Sequence, residues 1–138
     1  MHKFTIQPLL NHRKFIEEIL QKELSLFKRL LADEKKKLKD YEKARNRFMV
    51  ELRQKQRESI TVSENLLYFN FLVRQASDLD NQRDIVLDVE KKFDQKRDDL
   101  IEAINKRMQT DLLILQDQNE VFLTGIKSEK GKGDNISK

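Results

Sequence analysis

Residues 20–52 read LQKELSLFKRLLADEKKKLKDYEKARNRFMVEL, and apolar side chains recur in this stretch at alternating spacings of four and three residues. Eight of the ten positions at this spacing are apolar or aromatic: Leu20, Leu24, Phe27, Leu31, Leu38, Tyr41, Phe48 and Leu52. Glu34 and Arg45 occupy the other two. A 4-3 repeat of this length is typical of a coiled coil. It predicts a long helix that packs on a partner helix along one row of side chains, the seam.

A second heptad array follows at residues 72–100. Its apolar members are seven residues apart: Leu72, Leu79, Val86, Phe93 and Leu100. The companion positions are more polar: Tyr68, Gln75, Gln82, Val89 and Lys96. Beyond them the apolar residues change phase, to Ile101, Ile104, Met108, Leu112, Leu115 and Phe122. This change predicts a stutter that locally unwinds the supercoil.

The two arrays are separated by a segment in which the heptad period fails. Residues 60–62 are three consecutive β-branched residues, which are weak helix formers. Thr61 with Glu64, or Ser63 alone, can cap a new helix. We therefore expect a tight connection near 59–63 between two antiparallel helices. The alternative is one continuous helix that dimerises in parallel, since no residue here forbids a helix.

The charge distribution favours the hairpin. Residues 8–58 have a net charge of +6 and residues 64–123 a net charge of −5. Arms of opposite charge attract each other when folded back, whereas the same arms would repel in a parallel homodimer. A register in which paired residue numbers add up to about 124 matches Leu24 with Leu100 and Leu31 with Phe93. Its midpoint, residue 62, falls in the predicted turn.

Helix-breaking residues lie near the ends of the chain. Pro8 is the single proline and suits a first helical turn, and the three glycines are at 125, 131 and 133. We expect helix 1 at about 8–58 and helix 2 at about 64–123, in one all-α antiparallel coiled-coil hairpin spanning 1–123. Residues 124–138 are small or charged and predict a disordered tail.

The N-terminal arm carries more apolar residues than one seam requires. A second stripe consists of Ile16, Ile19, Leu26 and Leu30. It indicates either a wider core or a surface that binds a partner at the open end of the hairpin.

The composition gives little basis for chemistry. Lys plus Arg is 28, Asp plus Glu is 24, and cysteine is absent, which excludes disulfides and thiolate metal sites. The chain has no apolar run long enough to span a membrane, no signal-peptide pattern and no glycine-rich phosphate loop. We expect no enzyme activity, cofactor or metal. The lysines at 35–39 favour a solvated, cross-paired face over nucleic-acid binding, because no aromatic side chains are interleaved with them.

Three segments resemble the flagellar export protein FliJ family. The opening FTIQPLLNHR at 4–13 is similar to its N-terminal signature, and Glu17-Glu18 to its acidic helical turns. Residues 66–72, LLYFNFL, resemble the aromatic segment that opens its second helix. Residues 89–97, Ala103, Lys106 and the LQDQ at 115–118 resemble its C-terminal arm. The resemblance covers about residues 4–123.

The resemblance implies a non-catalytic stalk in flagellar type III protein export, and thereby a role in flagellum biogenesis and chemotaxis. Its implied partners are the export ATPase hexamer, the cytoplasmic domain of the export gate and export chaperones. The implied location is cytoplasmic, peripheral at the inner face of the cell membrane through these partners. The alternative is a structural coiled-coil spacer that dimerises.

Two sets of contact residues are expected. The ATPase set lies where both arms end: Phe4, Ile6, Leu10, Arg13, Lys106 and Arg107. The gate set is Tyr41, Phe48, Phe71 and Gln75. Tyr41 and Phe48 also fit the seam spacing, so a plain core role is the alternative for them. Phe69 and Phe71 cannot both lie in the stripe with Leu72, so at least one of them should be exposed.

Overall fold

The computed structural model describes the backbone of residues 2–136 and the side chains of residues 6–126. Two helices account for nearly all of it: α1, His2–Arg57, and α2, Val62–Ile136. The described residues contain no strand. The two helices pack against each other, which confirms the all-α helical hairpin.

The chain divides into two compact units. The turn unit is Glu23–Lys96 and contains the connection between the helices. The terminal unit consists of α1 up to Lys22 and α2 from Arg97 onward. Within each unit, α1 contacts α2 through side chains whose spacing follows the heptad.

The turn is held by backbone geometry and one cap. Ser59 has a φ of 71°, in the left-handed region, and this ends α1 at Arg57. Thr61 Oγ1 accepts a hydrogen bond from the Glu64 backbone N–H at 3.1 Å, which confirms the predicted Thr61 cap. Gln56 Nε2 donates to Asn65 Oδ1 across the turn at 3.1 Å. The connection therefore takes up residues 58–61.

The early turn changes the pairing within the turn unit. In the predicted register Phe48 lies opposite Ala76, but its ring instead contacts those of Tyr68 and Phe71. The predicted midpoint at residue 62 is therefore wrong for this part of the hairpin. The cause is Ser59, whose left-handed backbone reverses the chain before the β-branched run is complete.

The seam of the turn unit follows the predicted arrays with one exception. Leu79, Gln82, Val86 and Val89 are buried, and the other members of the second array within this unit are half-buried. Tyr41 is the exception: it is 45% exposed, and the next residue, Glu42, is half-buried in its place. Tyr41 is therefore not a core residue, and the seam interpretation of this position was wrong.

A buried polar contact lies in this seam. Gln82, which is 5% exposed, donates from Nε2 to the Glu34 carbonyl oxygen at 3.0 Å and to Glu34 Oε2 at 2.6 Å. This bond, followed by the one from Lys37, lowers the pKa of the Glu34 carboxyl below its usual value. Glu34, which interrupts the apolar repeat, is thus an ordered seam residue.

The terminal unit does not show the predicted stutter. Its seam on α2 continues in the original phase through Leu100, Ala103, Arg107, Thr110, Ile114 and Asp117, which are all half-buried or buried. Of the predicted stripe, Ile101, Met108, Leu112, Leu115 and Phe122 are exposed instead, and Ile104 alone is half-buried. The stutter interpretation is wrong because polar residues hold the seam here, as described below.

The helices also extend beyond their predicted ends. α1 begins at His2, so Pro8 lies inside it and removes the hydrogen bond to the Phe4 carbonyl. α2 continues to Ile136, and Gly125 keeps a helical backbone inside it. Disorder of the tail in solution stays a prediction, and residues 137–138 lie outside the described part.

Candidate interaction surfaces

Arg13 joins the two helices of the terminal unit. Its Nη1 donates to the Lys106 carbonyl oxygen at 2.7 Å and to Thr110 Oγ1 at 2.8 Å. Thr110 is fully buried, and its hydroxyl donates to the same carbonyl at 3.0 Å. Arg13 therefore adds a charged donor from α1 to two oxygens of α2 that already share a hydrogen bond.

Arg107 forms the neighbouring contact from the other helix. Its Nε donates to Glu17 Oε2 at 2.6 Å, and its Nη1 donates to Asp111 Oδ2 at 2.9 Å. The Glu17 carboxylate, and then Asp111, raise the pKa of Arg107. We call Arg13, Glu17, Arg107 and Thr110 the polar layer. It occupies heptad positions at which a coiled coil usually has apolar residues.

The expected ATPase set therefore separates into several environments. Leu10 is buried and Ile6 is half-buried, while the Phe4 side chain lies outside the described residues. Arg13 and Arg107 face the other helix of their own chain. Lys106 is exposed and pairs with Glu102 one turn earlier, at 3.2 Å.

The most extensive exposed apolar feature of the terminal unit lies on α2. Five side chains follow a helical stripe, which we call the terminal stripe: Ile101, Met108, Leu112, Leu115 and Phe122. Each is at least half exposed. Apolar side chains in a row at heptad spacing are suited to receive another helix.

A shallow groove lies on a different side of the same unit. It is lined by Leu9, His12, Arg13, Ile16, Leu20, Asp99, Glu102, Ala103 and Lys106. Ile16, from the second stripe of the N-terminal arm, lines this groove, and both Ile16 and Ile19 of that stripe are partly exposed. The partner-surface interpretation of that stripe is thus compatible with their exposure.

In the turn unit, three aromatic rings meet at the interface between the helices. The Phe48 centroid lies 4.4 Å from that of Phe71 and 5.3 Å from that of Tyr68, both at tilted angles. Lys55 Nζ lies 5.9 Å from the Tyr68 centroid. These residues line a groove with Glu64 and Leu67. We call Phe48, Tyr68 and Phe71 the aromatic cluster.

The structure brings together only part of the expected gate set. Phe48 and Phe71 are in contact, whereas Tyr41 is exposed outside the cluster. Gln75 is half-buried, and its Oε1 is buried without a hydrogen-bond partner. Phe69 and Phe71 are both exposed, which confirms the expectation that at least one of them would be.

Sequence reasoning missed Glu17, Thr110 and Tyr68 as members of these clusters. A signal existed for Arg107 and Thr110 in the seven-residue spacing. Arg107 continues the array of Phe93 and Leu100, and Thr110 continues the array of Lys96 and Ala103. The apolar residues beside them form a stronger pattern, which favoured a change of phase over a polar continuation of the seam. Glu17 offered the same signal, since it lies seven residues before Leu24, but a Glu-Glu pair on a helix is usually solvated.

The described part of the chain gives no basis for metal binding or membrane insertion. Residues with described side chains include no group of three or more His, Cys, Asp or Glu that could hold a metal ion. Within the same residues, no helix combines the length and apolar character that a membrane span requires.

A comparison with protein-family models shows the family to which the chain belongs. The family model for the flagellar FliJ protein matches residues 2–137. The chain belongs to the FliJ family. It is therefore a protein related to flagellar export, a system in which this family is a non-catalytic component. No curated protein and no solved structure matches the chain significantly.

Proposed function

We propose that this FliJ-family chain is a stalk subunit of the flagellar export apparatus, and that its terminal unit binds the export ATPase ring. The observation that carries the proposal is the terminal stripe. Apolar side chains that would suit a seam are exposed there, while the polar layer and its neighbours form the seam. Binding a partner would bury the stripe and recover the hydrophobic free energy that this hairpin leaves unused.

The polar layer supports this assignment by fixing the orientation of α2. Arg13 and Arg107 hold the seam face inward through bonds of 2.6–2.8 Å. A rotation of α2 that buried the terminal stripe would break these bonds, so that Thr110 Oγ1 would lose its Arg13 donor and Glu17 its Arg107 partner. The stripe thus stays available to a partner.

ATPase stimulation tests the proposal. The double variant Leu112→Ala, Leu115→Ala should keep its helicity by circular dichroism, because both residues are exposed. It should lose most stimulation of the export ATPase from the same genome. The matched control, Ile85→Ala with Leu87→Ala, truncates two exposed aliphatic side chains of the turn unit and should retain stimulation. Full stimulation by the stripe variant would remove the terminal stripe from the ATPase site.

The aromatic cluster is the proposed contact for the export gate. Phe71 is partly exposed beside two other rings, and such aromatic surfaces often carry most of a binding energy. Phe71→Ala should weaken binding of the cytoplasmic gate domain severalfold and change the free energy of unfolding by about 1 kcal/mol. Phe15→Ala, another exposed phenylalanine, is the control. Equal weakening by both variants would contradict a site at the cluster.

Two further roles belong to the same proposal. Escort of export chaperones, and a peripheral position at the inner face of the cell membrane, would both follow from binding the ATPase and the gate. The competing function is a structural spacer that dimerises through its exposed apolar surface. Its distinguishing property is a stable dimer without any partner.

A further inference from the structure

The first turns of α2 carry an apolar stripe of their own, separate from the seam. Val62, Leu66, Phe69 and Val73 follow the spacing 4-3-4, and each is more than half exposed. The seam residues of the same segment, Tyr68 and Leu72, lie on a different side of the helix. We call these four residues the turn stripe. It has the spacing of a coiled-coil seam, yet its side chains are mostly exposed.

The turn stripe borders its own groove. The groove is lined by Leu52, Gln56, Val62, Asn65, Leu66, Phe69 and Leu72. It shares no residue with the groove of the aromatic cluster, which is lined by Phe48, Lys55, Glu64, Leu67, Tyr68 and Phe71. The hairpin therefore has two distinct apolar surfaces near its turn.

The charges around the turn stripe are unequally distributed. Residues 65–73 contain no charged residue, although 38% of the whole chain is charged. Residues 43–57 of α1, in contrast, carry six basic side chains and one acidic side chain. An uncharged apolar helix thus lies beside a strongly basic one.

Two arginines lie on α1 near this groove. Arg53 precedes Gln56 by three residues and so lies on the same side of α1, while Arg57 follows Arg53 by four residues, on the side of Arg53 away from Gln56. Lys55 lies on the other side, at the aromatic groove. Neither Arg53 nor Arg57 forms an ion pair with the residues whose side chains are described. Their charges are available to a partner.

We propose that the turn stripe binds an amphipathic helix whose apolar row is flanked by carboxylates. The apolar row would complete a three-helix contact with Leu66 and Phe69, and the carboxylates would meet Arg53 and Arg57. A second copy of this chain fits less well. Two copies joined by their turn stripes would bring the arginines of both molecules together, and like charges repel.

Binding of designed peptides to the full chain tests the proposal. The probe is a fluorescent helical peptide with leucines at 4-3 spacing and glutamates at the flanking positions, followed by fluorescence anisotropy. A second peptide carries lysines in place of the glutamates. We expect the glutamate peptide to bind about tenfold more tightly than the lysine peptide. Equal affinity of the two peptides would overturn the charge argument.

Paired variants locate the site. Leu66→Ala with Phe69→Ala should weaken the glutamate peptide about tenfold. The control, Leu87→Ala with Phe15→Ala, removes side chains of matching type and exposure, since Leu66 and Leu87 are 58% and 55% exposed. It should bind the peptide normally, because neither residue lies in the turn stripe or lines its groove. Equal loss in both variants would place the peptide elsewhere.

Three further measurements complete the test. Arg53→Glu with Arg57→Glu should reverse the preference between the glutamate and lysine peptides, and an unchanged preference would refute the role of these arginines. Circular dichroism should show that all variants keep their helices. Sedimentation without peptide should find monomers. A dimer that dissociates in the Leu66→Ala, Phe69→Ala variant would identify a second copy as the occupant and overturn the proposal.

Discussion

At the scale of single residues, Ser59 shows how a local conformation determines where the hairpin reverses. A serine with a φ of 71° is uncommon, because the Cβ of an L-residue crowds the backbone in the left-handed region. The conformation persists because the helices on both sides are capped and packed. Ser59 thus carries backbone strain at the point where the chain turns.

Glycine at this position should relieve that strain. Ser59→Gly should raise the free energy of unfolding by about 0.5–1 kcal/mol, since glycine adopts positive φ without a steric penalty. Urea unfolding followed by circular dichroism measures the change. Ser77→Gly, at an exposed position inside α2, should instead lower stability by about 0.5 kcal/mol. Destabilisation by both variants would show that the turn conformation costs nothing.

Arg13 and Arg107 should stabilise the hairpin itself, whether or not a partner is bound. The variant Arg13→Glu, Arg107→Glu would add two carboxylates to those of Glu17 and Asp111, which makes four in one place. It would also remove the Arg13 donor to Thr110 Oγ1. We expect a clear fall in melting temperature. Lys106→Glu, at the exposed neighbour, should leave the melting temperature nearly unchanged. An unaltered melting curve for the double variant would refute a stabilising polar layer.

At the scale of the helices, adjacent residues of α1 offer a direct test of the seam. Leu31 is half-buried in the seam, whereas Leu30 is exposed. Leu31→Asp should lower the free energy of unfolding by about 2–4 kcal/mol, because it introduces a charge without a partner between the helices. Leu30→Asp should cost less than about 1 kcal/mol. Similar losses in thermal melts would mean that α1 is rotated from the described position.

The comparison of sequence with structure shows where periodicity is informative. The 4-3 spacing from Leu20 to Leu52 identified most of the α1 seam, and the Thr61 cap followed from its hydroxyl. The pattern failed where polar residues pair across the seam, as at Arg107 and Thr110, because hydrophobicity alone does not reveal a satisfied polar contact. The prediction of a seam position for Tyr41 was wrong for a related reason, since an amphipathic ring at a seam spacing can equally stay in water.

The same limit applied to the interaction surfaces. The exposed Phe69 and Phe71 could be anticipated from their position next to Leu72. The exposure of the terminal stripe could not, since its five apolar residues were the best seam candidates that the sequence offered. Only the distances within the polar layer show which face of α2 is turned inward.

At the scale of the whole molecule, the prediction concerns association. The chain has a mass of 16.5 kDa, and sedimentation equilibrium at micromolar concentration should return that value. Each helix already buries the seam residues of the other. Charged residues next to the described exposed stripes oppose the pairing of two copies of the chain. A mass of twice this value would favour the spacer function over the stalk.

The distances in sequence spanned by these contacts have a consequence for folding during synthesis. Gln56 and Asn65 are nine residues apart, Glu34 and Gln82 are 48 apart, and Arg13 and Thr110 are 97 apart. Closing a short loop costs less entropy than closing a long one, so the hairpin should nucleate at Ser59 and close toward the termini. On a ribosome adding about 5–20 residues per second, Leu10 and Arg13 would wait several seconds for their partners to emerge. During that interval the start of α1 is an unpaired apolar segment, open to chaperones and proteases.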